Sequence, residues 1–311
     1  MRLFFLLSFT FLFFPQANAQ KRIDTLIVKY RPPADTIKYW KTGGKLTFTL
    51  QNVYQKDWTR GDQPSFSLGT TVNLYAYYDR GEFKLENKLD AGISLLRQGE
   101  STNLLIKNED FLIYIFKGGR KLVNKWYLDG ILDFRTQFLK GFADNKVGDQ
   151  RIVNSKFLNP GIISPSFGLG YKKDKFALTL APLSGRFTFV TDDSLSNFPT
   201  NGVPAGMNWK SDLGANIVVS DNFSPVKNMK LRYNLSLFYE YETPDHIDVF
   251  GELFMNYKLL KYISVNFQFR VIYDDNVRIK NEEDNSSYVP WQINNVIDIG
   301  FIYEFGEKIG D

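Results

Sequence analysis

Long stretches of strict two-residue alternation are the sequence feature that most constrains the fold of this chain. In one of them, Ile263, Val265 and Phe267 alternate with Ser264 and Asn266. This period indicates β-strands with one apolar and one polar face. Several of the stretches exceed ten residues, whereas strands of soluble proteins typically have about 5–6. A tilted strand that crosses a bilayer needs about 9–11 residues, so the lengths favour a membrane protein.

Twelve such stretches are predicted as strands: 44–54, 65–78, 82–96, 103–117, 122–139, 154–172, 174–190, 206–220, 228–242, 246–258, 261–275 and 289–305. Short connections alternate with longer polar ones between them, which is typical of an outer-membrane barrel with short periplasmic turns and long external loops. Backbone groups in hydrocarbon have no water to bond, so a sheet that spans a membrane must close on itself.

The predicted fold is therefore all-β: a closed antiparallel transmembrane barrel of about twelve strands (10–14), formed as one domain by residues 44–305. An even strand number puts both termini in the periplasm. The alternative is a soluble β-sandwich or a lipocalin-like barrel with a dry core.

Aromatic residues make up 16% of the chain, and several fall near predicted strand ends. Amphipathic rings at both membrane interfaces form the aromatic girdles of such barrels. The predicted girdle residues are Trp58, Tyr78, Trp126, Trp209, Tyr241, Tyr257, Tyr273 and Trp291.

The N-terminus has the order of a secretory signal peptide. Arg2 precedes an apolar core, and the small residues Ala17-Asn18-Ala19 follow it. Residues 1–19 are predicted to be removed by cleavage between Ala19 and Gln20. A spanning helix needs about 20 apolar residues, which this core does not supply. Residues 20–43 are predicted as an extended periplasmic lead-in, and residues 306–311 as a periplasmic C-terminal tail.

The polar faces of the strands carry charges of both signs. The predicted lumen-lining residues are Lys84, Glu86, Lys88, Asp129, Asp133, Arg135, Lys230, Arg232, Glu240, Glu252, Arg270 and Asp298. They fit a passive channel or a porin-like uptake protein whose charges select solutes. They also fit a non-conducting structural or surface-interaction barrel whose lumen is filled by salt bridges. Twelve strands lie between packed eight-stranded barrels and open porins with 16–18 strands.

Little in the sequence favours an enzyme. The chain has no Cys, and its single histidine, His246, follows Thr243-Pro244-Asp245 in a predicted external turn. An outer-membrane hydrolase that uses His246 is a remote alternative, because Asp and His beside Pro are ordinary turn residues. Asp274-Asp275-Asn276 offers oxygen ligands for Ca²⁺. It lacks the spacing of an EF-hand loop, so a solvated loop is expected there.

No catalytic residue, metal site or cofactor is predicted. Lys and Arg number 38 against 34 Asp and Glu, a balance that indicates no nucleic-acid partner. The expected partners are outer-membrane lipid, the barrel-assembly machinery during biogenesis, and a small solute that the sequence does not identify.

Several phrases of the chain resemble a known family. They are Phe134–Phe142, Phe157–Gly161, Gly168–Lys172, Leu180–Arg186, Asp192–Leu195, Tyr273–Asp275 and Ile299–Phe305. Together they are similar to the Bacteroidota family labelled domain of unknown function 3078, and the likeness extends over most of residues 40–305. The resemblance implies a location in the outer membrane and assigns no activity.

Overall fold

The computed structural model describes residues 39–53, 65–98, 106–147, 150–197, 202–243, 247–275, 279–280 and 287–307. The elements in chain order are β1 (Trp40–Val53), β2 (Ser65–Arg80), β3 (Phe83–Gln98), β4 (Ile106–Val123), β5 (Trp126–Thr136), β6 (Gly141–Val147), β7 (Gln150–Ser155), β8 (Gly161–Lys173), β9 (Phe176–Phe189), α1 (Asp193–Ser196), β10 (Trp209–Phe223), β11 (Met229–Glu240), β12 (Ile247–Lys258), β13 (Ile263–Tyr273), β14 (Ile279–Lys280), β15 (Ser287–Tyr288) and β16 (Trp291–Gly306).

Twelve of these strands form one closed barrel in the order β1-β16-β13-β12-β11-β10-β9-β8-β5-β4-β3-β2. Every neighbouring pair is antiparallel, and β1 closes the barrel by pairing with β16, with Gly44 opposite Phe305 and Thr49 opposite Gly300. The barrel strands run from 11 residues in β5 to 18 in β4. The predicted fold, a closed antiparallel barrel of about twelve strands, is confirmed. Strand β1 begins at Trp40, four residues before the predicted start of the barrel.

The connection between β5 and β8 differs from the predicted strands. The structure has a β6–β7 hairpin there, and β8 begins only at Gly161. Leu158 has a φ of 57°, in the left-handed region, and Pro160 has no N–H to donate to a neighbouring strand. Strand β5 ends at Thr136 because the next amides leave the ladder. Those of Phe138 and Leu139 donate to the Asp110 carboxylate at 2.8 and 2.7 Å.

The two ends of the barrel differ in their connections. Short turns at 81–82, 124–125, 174–175, 224–228 and 259–262 lie at one end, here called the short-turn end. Most of these turns contain a residue with positive φ: Gly81, Asn124, Asp174 and Asn228, as tight hairpins require. The other end, the long-loop end, carries the connections at 54–64, 99–105, 137–160, 190–208, 241–246 and 274–290. Among the described residues, no helix has the length and apolar character needed to span a membrane.

The barrel is apolar outside and polar inside. Its outward positions leave many large apolar side chains exposed, among them Leu50, Leu68, Phe167, Leu183, Leu213, Ile293, Ile297, Ile299 and Phe301. The buried polar residues include Asp129, Asp212, Asp248, Asn256, Ser264 and Asn266. A soluble protein has the opposite distribution, with its large aliphatic residues inside. The interior is thus not the dry core of a soluble barrel.

Candidate functional site

Two adjoining cavities lie inside the barrel. The larger, of about 580 Å³, is bordered by residues nearer the long-loop end such as Thr49, Asn108 and Arg270. The smaller, of about 360 Å³, lies toward the short-turn end, where Tyr77 and Lys230 line it. We call them the long-loop cavity and the short-turn cavity. Five residues line both and are here called the waist: Lys45, Asn73, Asp90, Arg232 and Phe254.

Strand register places the waist residues in two rows. Lys45 lies opposite Asn73, and Asn73 lies opposite Asp90, so β1, β2 and β3 present these three side chains side by side. The Asn73 amide donates to the Asp90 carboxylate at 2.7 Å. Arg232 lies opposite Phe254 in the β11–β12 ladder. Each of these residues occupies an inward position of its strand.

An aromatic ring joins the two rows. The Lys45 ammonium lies 4.7 Å from the centre of the Phe254 ring, and the Arg232 guanidinium lies 5.5 Å from it. Strands β16 and β13 separate β1 from β12, so the Lys45–Phe254 contact reaches past two intervening strands. At the waist, two cations therefore face one ring and a single carboxylate faces an amide.

Half of the predicted lumen residues line these cavities. Glu86, Lys88, Lys230 and Arg232 border the short-turn cavity, and Arg232, Glu252 and Arg270 border the long-loop cavity. Sequence reasoning missed Lys45 and Phe254. Lys45 belongs to the polar stripe of β1, and Phe254 is an aromatic residue at a polar-stripe position of β12, so parity could have indicated both.

Asp129 belongs to a packed cluster rather than to the wall of either cavity. Its carboxylate is fully buried and lies 3.1 Å from the Lys117 ammonium and 3.8 Å from that of Lys172. Lys117 also donates to the Thr179 hydroxyl at 2.7 Å, and Lys172 lies 3.5 Å from Glu86. We call these five residues the Asp129 cluster. It links β3, β4, β5, β8 and β9 on one side of the lumen.

Glycines make room for this cluster. A Cβ atom on Gly170 would lie 1.9 Å from one Asp129 carboxylate oxygen, and a Cβ atom on Gly119 would lie 2.4 Å from the other. Any larger residue at either position would displace the carboxylate from its two lysines.

Further contacts cross the lumen nearer the long-loop end. Arg135 pairs with Asp133 at 2.7 Å and lies 4.4 Å from the centre of the Phe250 ring. Four strands separate β5 from β12 in the barrel order, so this contact spans the interior. Arg186 on β9 forms an ion pair with Asp248 on β12, past the two intervening strands β10 and β11.

Three carboxylates gather at this level. Asp248, Asp274 and Asp275 have ligand oxygens within 4.8 Å of one another, a donor set that could hold a hard cation such as Ca²⁺. Arg186 pairs with Asp248 and lies 3.7 Å from Asp274, which offsets part of their charge. Asp275 is buried, although the sequence predicts a solvated loop at this position.

The remaining predicted lumen charges lie elsewhere. Lys84 pairs with Asp79 at 3.0 Å near the short turn of β2 and β3. Glu240 is buried at the end of β11. The backbone of Asp298 pairs with Asn266 on β13, but its side chain lies outside the described part of the structure.

Sequence reasoning missed a hydrogen-bond network at the long-loop end, which is centred on Asn159. The Asn159 side chain is 1% exposed; its oxygen accepts from the Asp192 amide at 2.8 Å, and its nitrogen donates to Thr191 at 3.1 Å. The Asn159 carbonyl accepts from Gln137 at 2.8 Å. Lys156 forms an ion pair with Asp192. The network joins three of the phrases that carry the family resemblance and ties two long loops together.

Aromatic residues lie on the outside near both ends. At the short-turn end, Tyr78 is 5.2 Å from Trp40, and Trp126 is 5.3 Å from Tyr171, between ring centres. At the other end, Tyr273 and Trp291 are 4.8 Å apart. The exposed outer residues also include Trp209, Tyr241 and Tyr257. Trp58, His246, Ala19 and Gln20 lie outside the described residues.

Comparison with known proteins gives a partial family match. A family described as "Protein of unknown function (DUF3078)" matches residues 50–142, which include β2 to β5. No curated protein sequence matches the chain.

Solved structures that resemble the chain do so at low identity. An outer membrane channel from Pseudomonas putida F1 has a TM-score of 0.40 at 11% identity, over 88% of this chain and 99% of that one. The translocator domain of the autotransporter NalP from Neisseria meningitidis has a TM-score of 0.36 at 9% identity, over 92% and 95%. An anion-selective porin from Comamonas acidovorans has 0.31 at 9% identity, over 86% and 100%. At these values, the fold assignment rests on the strand pairing of the chain itself.

Proposed function

We propose that the protein is an outer-membrane channel that passes small hydrophilic solutes. The observation that carries this proposal is the pair of adjoining cavities in a polar lumen, joined at the waist and surrounded by an apolar outer face. A solute in such a lumen exchanges its water for the hydrogen-bonding groups of the strands.

The outer face supports a location in the membrane. Apolar side chains such as Leu183 and Ile297 are about two-thirds exposed, which would be costly in water and is favourable in lipid. The continuous ladder around the barrel pairs backbone groups that hydrocarbon could not satisfy. Tyr and Trp at both ends suit the two interfaces. A signal peptide at residues 1–19 and a source in Bacteroidota remain parts of the proposal that depend on the sequence alone.

We further propose that the short-turn end and both termini face the periplasm. Outer-membrane barrels have short periplasmic turns and longer external loops. The last barrel strand ends in Tyr303 and Phe305, whose side chains are exposed and whose ring centres lie 6.1 Å apart. An aromatic end of this kind fits recognition by the barrel-assembly machinery.

The orientation has a direct test because the chain contains no cysteine. Lys280→Cys in the connection between β13 and β16, and Lys227→Cys in the turn between β10 and β11, each introduce one thiol at opposite ends. A membrane-impermeant maleimide applied to intact cells should label Cys at position 280 and leave position 227 unlabelled until the cells are opened. The reverse pattern would contradict the orientation.

Single-channel recording tests the channel function. Purified protein inserted into planar bilayers should give discrete conductance steps in KCl. Arg232→Trp, which places a bulkier side chain at the waist, should reduce the step size. Arg120→Trp on the outer face is the matched control, because the Arg120 side chain is exposed and lies 5.6 Å from the Phe83 ring. Folded barrels that give no steps would contradict a channel.

A non-conducting structural barrel is the second candidate. The Asp129 cluster and the Arg135–Phe250 contact favour it, because the cluster fills one side of the lumen with paired charges and the second contact crosses the lumen. If the long-loop contacts close the lumen, the recordings will be silent, and the main effect of changing these residues will be on stability.

A further inference from the structure

We propose that the waist is an anion-binding site that makes the channel selective for small anions. The inference rests on the proposed channel function and names its substrate class. The positive and negative side chains that line the two cavities are nearly equal in number. The inference therefore starts from the partners that each charged side chain near the waist has.

The carboxylates at this level already accept hydrogen bonds from neighbours. Glu252 accepts from Gln268 at 2.9 Å and from Arg270 at 3.2 Å. Asp90 accepts from Asn73 at 2.7 Å. Arg270 compensates the charge of Glu252, whereas the neutral Asn73 amide occupies one acceptor position of Asp90 and leaves its charge in place. With two cations, Lys45 and Arg232, against the single carboxylate of Asp90, the five waist residues carry a net positive charge.

The cations of β11 are engaged differently. Among the described residues, no carboxylate oxygen lies within 4.0 Å of the Arg232 guanidinium, which faces the Phe254 ring instead. Lys230, two residues earlier on the same face of β11, also has no described carboxylate within that distance. Both residues line the short-turn cavity, and Arg232 lines both cavities.

The geometry of Arg232 suits an anion in transit. A guanidinium presents five N–H donors in a planar fork that matches the oxygens of carboxylate and phosphate. The Phe254 ring attracts the cation through its π face and accepts no conventional hydrogen bond from it, so the N–H donors remain able to bind a solute. Lys45 adds a second cation, 4.7 Å from the centre of the same ring. A small carboxylate or phosphate entering from either cavity would meet these groups at the waist, where the two cavities adjoin.

Reversal potentials across a KCl gradient test the selectivity. The wild-type channel should favour Cl⁻ over K⁺, and Arg232→Gln should lower this permeability ratio by about threefold. Arg232→Glu should invert it, and Lys230→Gln should lower it less. Arg120→Gln, which removes a positive charge from the outer face, is the control and should leave the ratio unchanged. A conducting channel whose ratio does not respond to Arg232→Glu would overturn the proposal.

Binding of inorganic phosphate gives a second measurement that does not need conduction. The detergent-solubilised wild-type protein should broaden the ³¹P resonance of phosphate, and Arg232→Gln should abolish this broadening while Arg120→Gln retains it. Heat-modifiable electrophoretic mobility confirms that each variant is folded. Absence of conductance together with phosphate binding at Arg232 would reject the channel and retain the anion site. Absence of broadening by the wild-type protein would reject the site.

Discussion

The Asp129 cluster offers the sharpest test of how the lumen is held together. Asp129→Asn keeps the size of the side chain and removes its charge, which leaves Lys117 and Lys172 with one remaining carboxylate partner, Glu86, near Lys172. Both lysine side chains are only 12% exposed. Water can therefore compensate the charges of these two lysines only in part.

The size of the effect follows from the distances. With an effective dielectric constant of about 20, unit charges at the 3.1 Å of Lys117 and the 3.8 Å of Lys172 attract Asp129 by about 5 and 4 kcal/mol. Desolvation of the three charges offsets much of this attraction. Removing one partner of a buried ion pair typically costs about 3–5 kcal/mol, because the other charge is left uncompensated. We expect this loss in the free energy of unfolding.

Urea unfolding in lipid vesicles, followed by tryptophan fluorescence, measures the change. With an m-value of about 3 kcal/mol/M, the loss corresponds to a midpoint lower by about 1–1.7 M. Asp79→Asn is the matched control, since the Asp79 side chain is 60% exposed in its pair with Lys84. An exposed pair contributes at most about 1 kcal/mol. If both variants lose the same stability, the reasoning about buried charge is wrong.

A second change checks that the lysines cause the loss. Asp129→Asn combined with Lys117→Met removes the nearest uncompensated charge and should recover part of the stability lost by Asp129→Asn alone. A double variant that is less stable than Asp129→Asn by the full cost of Lys117→Met would show that the two residues act independently.

Two further predictions concern close packing and the long loops. Gly170→Ala brings a Cβ atom to within 1.9 Å of the Asp129 carboxylate and should sharply reduce the folded fraction on gels. Gly130→Ala is the control and should fold as the wild-type protein does, because its Cβ atom would lie 3.8 Å from its nearest neighbour. Asn159→Ala leaves buried polar groups of two loops without partners, should cost about 1–3 kcal/mol, and should speed tryptic cleavage after Lys156. Asn222→Ala, at an exposed position near a short turn, is its control and should leave both properties unchanged.

The architecture could be predicted from the sequence because alternation is a local signal. Each strand of the barrel shows its two faces within a few residues, as β13 does from Ile263 to Tyr273, and closure follows from the chemistry of the bilayer. The β6–β7 hairpin escaped prediction because residues 140–153, which contain most of it, are largely polar and fall in a predicted connection between two strands. Strand β8 begins only at Gly161 because Leu158 has a positive φ and Pro160 has no N–H to donate. A pattern of polarity does not record such backbone features.

The grouping of charges could not be predicted in the same way. Parity assigned Asp129 and Arg232 to the same inward class, yet one is fully buried between lysines and the other lines both cavities. Asp129 pairs with lysines on the two neighbouring strands, β4 and β8, and the cluster then extends to strands that are three positions apart in the barrel order. Lys117 reaches Thr179 across β5 and β8, a contact between residues separated by 62 positions in the chain. Such contacts depend on the shape of the closed barrel.

This difference implies that stability and selectivity depend on separate residues. The Asp129 cluster consists of buried charges that pair with one another, so its loss should lower the free energy of unfolding with little effect on the reversal potential. Arg232 lies beside an aromatic ring and has no carboxylate oxygen within 4.0 Å in the described part of the chain, so Arg232→Glu should change the reversal potential with little effect on unfolding. Measuring both quantities for both variants gives a crossed comparison. If Asp129→Asn shifted the reversal potential as much as Arg232→Glu did, the two sites would be one electrostatic unit, and the division of the lumen into a packed side and a selective waist would be wrong.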